Sequence, residues 1–344
     1  MNEPLKAYRR ILLARSLLLL LLLGVIGTAL LVDIMTGVSG LTSGDIVATL
    51  LSPEEASPVT RVIVWDVRLP YALMAMAVGV ALGLAGAEMQ TILNNPLASP
   101  FTLGLSSAAA LGASLALVFN IGIPGVPESW VVAGNAFVFA MLSALMLDLV
   151  ARWSGMNASG VVLFGIAMVF SFNALVSLVQ FMASAEALQG LVFWTMGSLS
   201  RATWPTVGAL LVAFALILPF SMRDSWRLTA MRLGEDRAAS FGIDVKRVRL
   251  AALLRISLLS ALAVAFVGTI GFIGLVAPHI ARRLFGEDHR FYLPGSALVG
   301  GVILSLASIA SKSIQPGLTL PVGIVTSLVG IPFFLAIVFR RRMQ

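Results

Sequence analysis

The chain has 344 residues, of which 59% are hydrophobic and only 11% charged, with a net charge of +7. So few charged groups cannot cover a soluble globule of this length, and a mean hydropathy of +0.99 points to a lipid environment. There is no cysteine and there are two histidines, His279 and His289, which removes disulfides, thiol chemistry and Cys- or His-rich metal centres.

In chain order, Lys6, Arg9, Arg10 and Arg15 precede "SLLLLLLLGVIGTALLV". A signal peptide would have a shorter apolar region ending in a small-residue cleavage site, so this segment reads as a retained first span over 16–36. A mildly acidic loop follows at 40–66, with Asp45, Glu54, Glu55 and Asp66. Further apolar runs place spans near 68–90, 96–118, 131–150, 157–182, 205–222, 250–268, 269–284, 291–311 and 319–340. The glycine-rich "GTIGFIG" marks the border of the seventh and eighth; merging them gives nine spans and an external C-terminus. Continuous rather than alternating apolar runs exclude a β-barrel, and abundant Gly, Ala and Ser suit close helix packing in lipid. The predicted fold class is an all-α polytopic membrane protein of ten transmembrane helices, one domain over 1–344.

With ten spans and both termini inside, the basic residues sort by side. The inner side holds the N-terminal four, Arg152, eight residues from Arg223 to Arg255, Arg282, Arg283, Arg290 and Arg340 to Arg342; only Arg61, Arg68, Arg201 and Lys312 lie outside. This positive-inside bias explains an isoelectric point near 10.7 without nucleic acid as a partner. Halves of opposite orientation beginning near spans two and seven read as an inverted repeat of the transporter kind.

Chemistry-bearing groups inside the spans are almost absent. Glu88 and Asp148 fall near inner span ends, Glu186 at an outer end, and His279 in "APHIARR" reads as a structural hydrogen-bonding residue. No carboxylate pair, HExxH, GxSxG or phosphate loop occurs, so the chain offers no catalytic site and none for nucleotide or metal. A proton-coupled carrier needs buried ionisable groups that this reading does not find. Energy for uphill transport would then come from a partner docked on the inner face.

The longest inner loop, about 223–249, carries "LGEDRAASFGIDVKRVR". Gly234 precedes a short helix, Glu235 and Asp236 occupy its first turn beside Arg237, Ala238 and Ala239 give it a slim face, and Gly242 stops it. Asp244 reads as the N-cap of a second short segment, "DVKRVRL". A solvated basic loop and a docking knob fit these residues equally.

Five segments in order resemble the permease subunits of the iron-siderophore, haem and cobalamin ABC importers, the type II importers. They are "RLPYALMAMAVGVALGLAGAEMQTILNNPLASPFTLG", "FWTMGSLSRATW", the loop just quoted, "GTIGFIGLVAPHIARRLFG" and "LPVGIVTSLVGIPFFLAIVFRR". The resemblance implies a dimeric pore, a homodimer favoured, with two ATPase subunits inside, where ATP and Mg act, and a soluble binding protein outside, in a bacterial cytoplasmic membrane. It implies that 233–249 forms the ATPase-coupling helices, and that Asn95 and Leu97 of "NPLA" with Ser159 form the inner gate, Ala158 standing where Thr is expected. It implies exposed binding-protein contacts at Arg68 and Lys312; Tyr71 replaces the second arginine of the family's "RLPR", and Arg61 or Arg201 could substitute. The implied cargo is a ferric siderophore or similar iron chelate, with haem or cobalamin as alternatives. Met168, Met182 and Met196 near the fifth span read as packing rather than haem ligands.

Overall fold

The computed structural model describes residues 3–154, 156, 158–315 and 317–342, and side chains for 6–150, 153, 154, 156, 159–315 and 317–336. The side chains of Arg152, Ala158 and Arg340 to Arg342, named above, lie outside that description. The described residues are helical and joined by turns, with no strand among them. In chain order the helices are α1 (Glu3–Met35), α2 (Ser43–Leu51), α3 (Pro58–Arg61), α4 (Leu69–Ile92), α5 (Leu105–Val118), α6 (Glu128–Trp153), α7 (Ala158–Phe181) and α8 (Ala185–Thr195). They continue as α9 (Trp204–Arg223), α10 (Ser225–Met231), α11 (Glu235–Ser240), α12 (Val245–Val267), α13 (Ile273–Phe285), α14 (His289–Ser313) and α15 (Val322–Arg342).

Seven helical stretches among the described residues are long and apolar enough to cross a membrane: α1, the continuous helix Pro58–Ile92, α6, α7, α9, α12 and α14. Helix α5 and the described apolar part of α15 are shorter, and α13 has 13 residues. Each of the ten expected segments therefore contains a helix, but not each contains one of full spanning length. Helices α12 and α13 are separate, divided by Gly268 at φ 79 and by Phe272, which sits in the left-handed region at φ 68; that conformation is costly for a bulky residue.

Local sequence chemistry fixes the borders. Ser57 accepts the Thr60 amide (3.1 Å) with Pro58 behind it, starting a helix that passes through a π-turn at Val62–Arg68 into α4. Thr42 and Asp45 form a capping box on α2, and the Thr42 hydroxyl and amide hold the Asp45 carboxyl below the usual carboxylate range. The predicted third span begins too early. Pro96 and Pro100 disfavour helix through 95–100, and Gly104 turns the chain at φ 89, so α5 starts at Leu105. Helix α8, with Glu186 in its first turn, was not anticipated.

Helix α4 is the axis of the molecule, buried along nearly all its length. It runs antiparallel to α14 and is flanked by α1, α9, α12 and α13. Glycines permit this approach: a Cβ at Gly79 would strike the backbone of Gly300 and come within 2.7 Å of Gly301 Cα, and one at Gly83 would strike the Ser296 carbonyl. Gly83→Val is therefore expected to push α4 and α14 apart and cost about 1–3 kcal/mol, measured as a lowered unfolding temperature in detergent. Gly208→Ala on α9, where a Cβ meets nothing within 4 Å, should leave that temperature unchanged.

Candidate functional site

The loop between α9 and α12 forms a two-helix knob at one end of the bundle, but not the pair of helices expected. The knob is α10 followed by α11, whereas "DVKRVRL" is the first part of the long helix α12. A one-sided count of apolar residues could not separate a short helix from the opening of a long one. Gly234 has φ 106 and ψ 154, a conformation open essentially to glycine alone, and it allows the sharp turn between α10 and α11. At the far end, Gly242 donates to the Ala239 carbonyl (2.9 Å) and Ile243 donates to the Ala238 carbonyl (3.2 Å). With Gly242 at φ 78, this is a Schellman closure.

The helix has two faces. Ala238 is 0% exposed against the bundle, while Glu235, Asp236, Arg237, Ala239 and Phe241 face outward. Asp244 caps α12 by accepting the Arg247 amide (3.1 Å), as expected. An ion pair from Arg249 to Glu235 ties α12 back to α11.

Behind the knob, two polar networks join it to the helical body. In the first, the Thr229 hydroxyl on α10 lies 3.1 Å from Nδ1 of buried His289, whose Nε2 lies 2.8 Å from the Thr91 hydroxyl on α4. Beside it, Arg232 holds Glu287 through two contacts of 3.1 Å and donates to the Asn94 side chain (2.8 Å). Arg282 reaches Glu287, Gln90 and the Tyr292 hydroxyl. One end of α4 and the start of α14 are thereby fastened to the knob.

The second network is an ion triad. Glu88 on α4, 1% exposed, receives Arg255 Nε at 3.1 and 3.2 Å, and Arg255 Nη1 donates to Asp224 at 2.9 Å. Asp224 stands between α9 and α10 and also accepts from Arg227 (2.9 Å). Glu88, expected near an inner span end, lies four residues from the end of α4, enclosed by protein and paired with a cation from α12. Lone charges of opposite sign in two apolar runs, "GLAGAEMQ" and "LAALLRIS", were the available signal.

The expected gate residues lie near the knob. Asn95 Oδ1 accepts the Leu97 amide (2.9 Å), closing an Asx-type turn at Pro96, and Leu97 is exposed. Ser159 lines a cavity of about 210 Å³ with Thr91, Asn94, Met231, Gly234 and Glu235. Asn94, at φ 44, bonds to Arg232 of the knob and stands next to Asn95 of the expected gate.

At the opposite end, the two cations expected to be exposed are not. Arg68 is 5% exposed and donates to the carbonyls of Ile34 (3.0 Å) and Met35 (3.2 Å) and to Ser39 Oγ (2.6 Å). Lys312 is 8% exposed, 2.8 Å from the Asp33 carboxylate, with Nζ 4.3 Å above the Tyr71 ring. Asp33 also accepts from Ser308. These cations are consumed inside the chain because helix ends there are brought together by α1, α4 and α14, a proximity no local pattern encodes. Tyr71 in place of a second arginine leaves Lys312 an aromatic face instead of a like charge. Arg61 is exposed at the same end.

Residues 19–340 match the FecCD transport family. The chain is similar to the hemin transport system permease protein HmuU of Yersinia pestis, 37% identical over 285 residues covering 82% of this chain and 84% of that one. It is similar to the Fe(3+)-citrate import system permease protein YfmE of Bacillus subtilis, 34% identical over 337 residues covering 96% and 97%. Its fold matches a chain of a metal-chelate type ABC transporter in an inward-facing conformation, with a TM-score of 0.82 and 29% identity over 94% of this chain and 99% of that chain.

Proposed function

This chain belongs to the FecCD transport family and is an integral, multi-pass ABC transporter permease, and from that premise we propose that it forms half of the pore of an importer for a ferric siderophore or similar iron chelate. It acts as a ten-span subunit paired with a second copy in a bacterial cytoplasmic membrane. The knob end and both termini face the cytoplasm, in keeping with the basic residues that cluster there. Two ATPase subunits, which hold ATP and Mg, dock on the knob, and a soluble binding protein delivers cargo to the opposite face. The chain contributes no catalytic group of its own.

The observation that carries this reading is the exposed α11 face, Asp236, Arg237 and Ala239, mounted on networks that reach α4, α12 and α14. ATP-driven closure of the ATPase pair displaces α10 and α11. Asp224, Arg255 and Glu88 pass that displacement to α12 and α4, while Thr229, His289 and Thr91 pass it to α14 and α4. A gate at Asn95, Leu97 and Ser159 lies at the α4 end of this path, so the pore changes its facing when the knob moves. Both networks are discrete bonded contacts, which suits switching between two arrangements. On the outer face Arg61 takes the docking role that exposure would require, and Arg68 and Lys312 brace that surface from behind.

The iron-chelate assignment draws support from the name of the B. subtilis relative; the name of the Y. pestis relative favours a second reading, haem. Purification of the tagged chain in mild detergent tests the assembly: two copies with two ATPase subunits are expected. The co-purified binding protein, screened with ferric citrate, ferric siderophores, haem and cobalamin, is expected to retain an iron chelate. Retention of haem alone replaces the cargo and keeps the importer.

A further inference from the structure

A cavity of about 280 Å³ opens between the starts of α6 and α9, the end of α12 and helix α8. Neither network described above reaches it. Its lining holds Glu128, Trp130, Trp194, Arg201, Thr203 and Phe266. The Arg201 guanidinium lies over the Trp194 ring at 6.0 Å and donates one Nη2 N–H to the Phe193 carbonyl at 3.0 Å, while its Nη1 is buried with no acceptor. Trp130 meets Phe266 edge to face at 6.1 Å. Glu128 is exposed, and no ion pair joins it to Arg201 or to another cation among the described residues.

A buried donor on a cation beside an aromatic wall needs an acceptor in that space, water or an anion, and an anion is the one that also meets its charge. The cavity also has a definite depth. Glu128 opens the spanning stretch Glu128–Val150, Trp204 opens Trp204–Arg223, and Val267 closes Val245–Val267. Three span ends meeting at one level mark the boundary between lipid tails and water, where tryptophans concentrate. We propose that this cavity binds the headgroup of a phospholipid carrying both a phosphate and a primary ammonium, phosphatidylethanolamine being the simplest. The Arg201 fork takes the phosphate oxygens, Glu128 takes the ammonium, and Trp130 with Phe266 covers the first acyl carbons. An acidic side chain from a docking protein would satisfy Arg201 but set a like charge beside Glu128. A glycerol headgroup leaves Glu128 unpaired, and a choline headgroup has no N–H to give it.

Native mass spectrometry of the full-length chain in its complex, exchanged into phosphatidylethanolamine, phosphatidylglycerol or phosphatidylcholine, tests this. Selective retention of phosphatidylethanolamine is expected. Arg201→Gln should weaken it about tenfold or more, the loss of charge-assisted hydrogen bonds, and Arg201→Lys should restore part of it. Glu128→Gln, a change at an exposed position that should fold, should abolish the preference over phosphatidylglycerol while phosphate-dependent retention survives. Equal retention of all three lipids by the unmodified chain and both Gln variants overturns the proposal. So does unaltered lipid retention with weakened association of the soluble binding protein in Arg201→Gln, which would make Arg201 a docking residue. Saturable retention of water-soluble glycerophosphoethanolamine as tight as that of the lipid would assign the cavity to a free phosphoester instead.

Discussion

Arg255→Met is expected to strip most folded permease from the membrane fraction. The substitution leaves Glu88 and Asp224 as two enclosed carboxylates without their shared cation. Breaking a buried ion pair from one side costs about 3–5 kcal/mol, the order of the whole stability of many folded domains. Fluorescence-detected size exclusion and unfolding temperature read the loss directly. Glu88→Gln should be milder, since Asp224 and Arg227 remain paired and the Gln amide can still accept from Arg255. Replacing the group together, Glu88→Leu with Arg255→Met and Asp224→Asn, should recover much of the fold, because removing all the charges lifts the desolvation penalty as well. It should not recover transport, because the link from α10 to α4 and α12 is gone. An Arg255→Met variant as stable as the unmodified chain would show that these carboxylates are satisfied some other way.

The second large effect is expected at the knob and leaves the fold alone. Ala239→Arg places a long cation on the exposed side of α11, where, in the proposed function, the small side chain lets an ATPase cleft close on the backbone. Overpacking at a fitted contact costs about 1–3 kcal/mol, or roughly 5- to 150-fold in dissociation constant. Co-purification of ATPase subunits should fall accordingly at unchanged unfolding temperature. Ala238→Arg is the informative contrast. Ala238 is fully buried, so the same chemistry one residue earlier should unfold the knob before docking is in question. Normal ATPase association by Ala239→Arg would reduce α11 to a solvated turn.

How much of this was legible in the sequence depended on the range of the interaction. Hydropathy and turn chemistry located most of the helices, because a bilayer demands long apolar runs and Gly234, Gly242 and Asp244 act on their own neighbours, whereas the third span was drawn through Pro96 and Pro100 against their local signal. The α11 helix and the α12 cap were readable for that reason. Errors arose where helices meet. Nothing near Lys312 announces Asp33, 279 residues away, and so an enclosed ion pair was read as an exposed docking cation. Glu88 and Arg255 lie 167 residues apart, and the chain looked poorer in buried charge than it is. In each case the unlike charges were visible singly, inside apolar stretches, and only the packing of α14 against α1 and of α12 against α4 made pairs of them. The resemblance to importer permeases singled out Arg68 and Lys312 without their burial, since a motif carries residue identity but not the partner this chain provides.

In the proposed function, ATPase work reaches an iron chelate through this chain. The most direct test is accumulation of radio-iron siderophore in vesicles containing the permease, its ATPase and its binding protein. Accumulation that requires ATP hydrolysis, resists dissipation of ion gradients and disappears with Ala239→Arg is the predicted result. Accumulation that ignores ATP and follows an ion gradient, with Ala239→Arg as active as the unmodified chain, would contradict it.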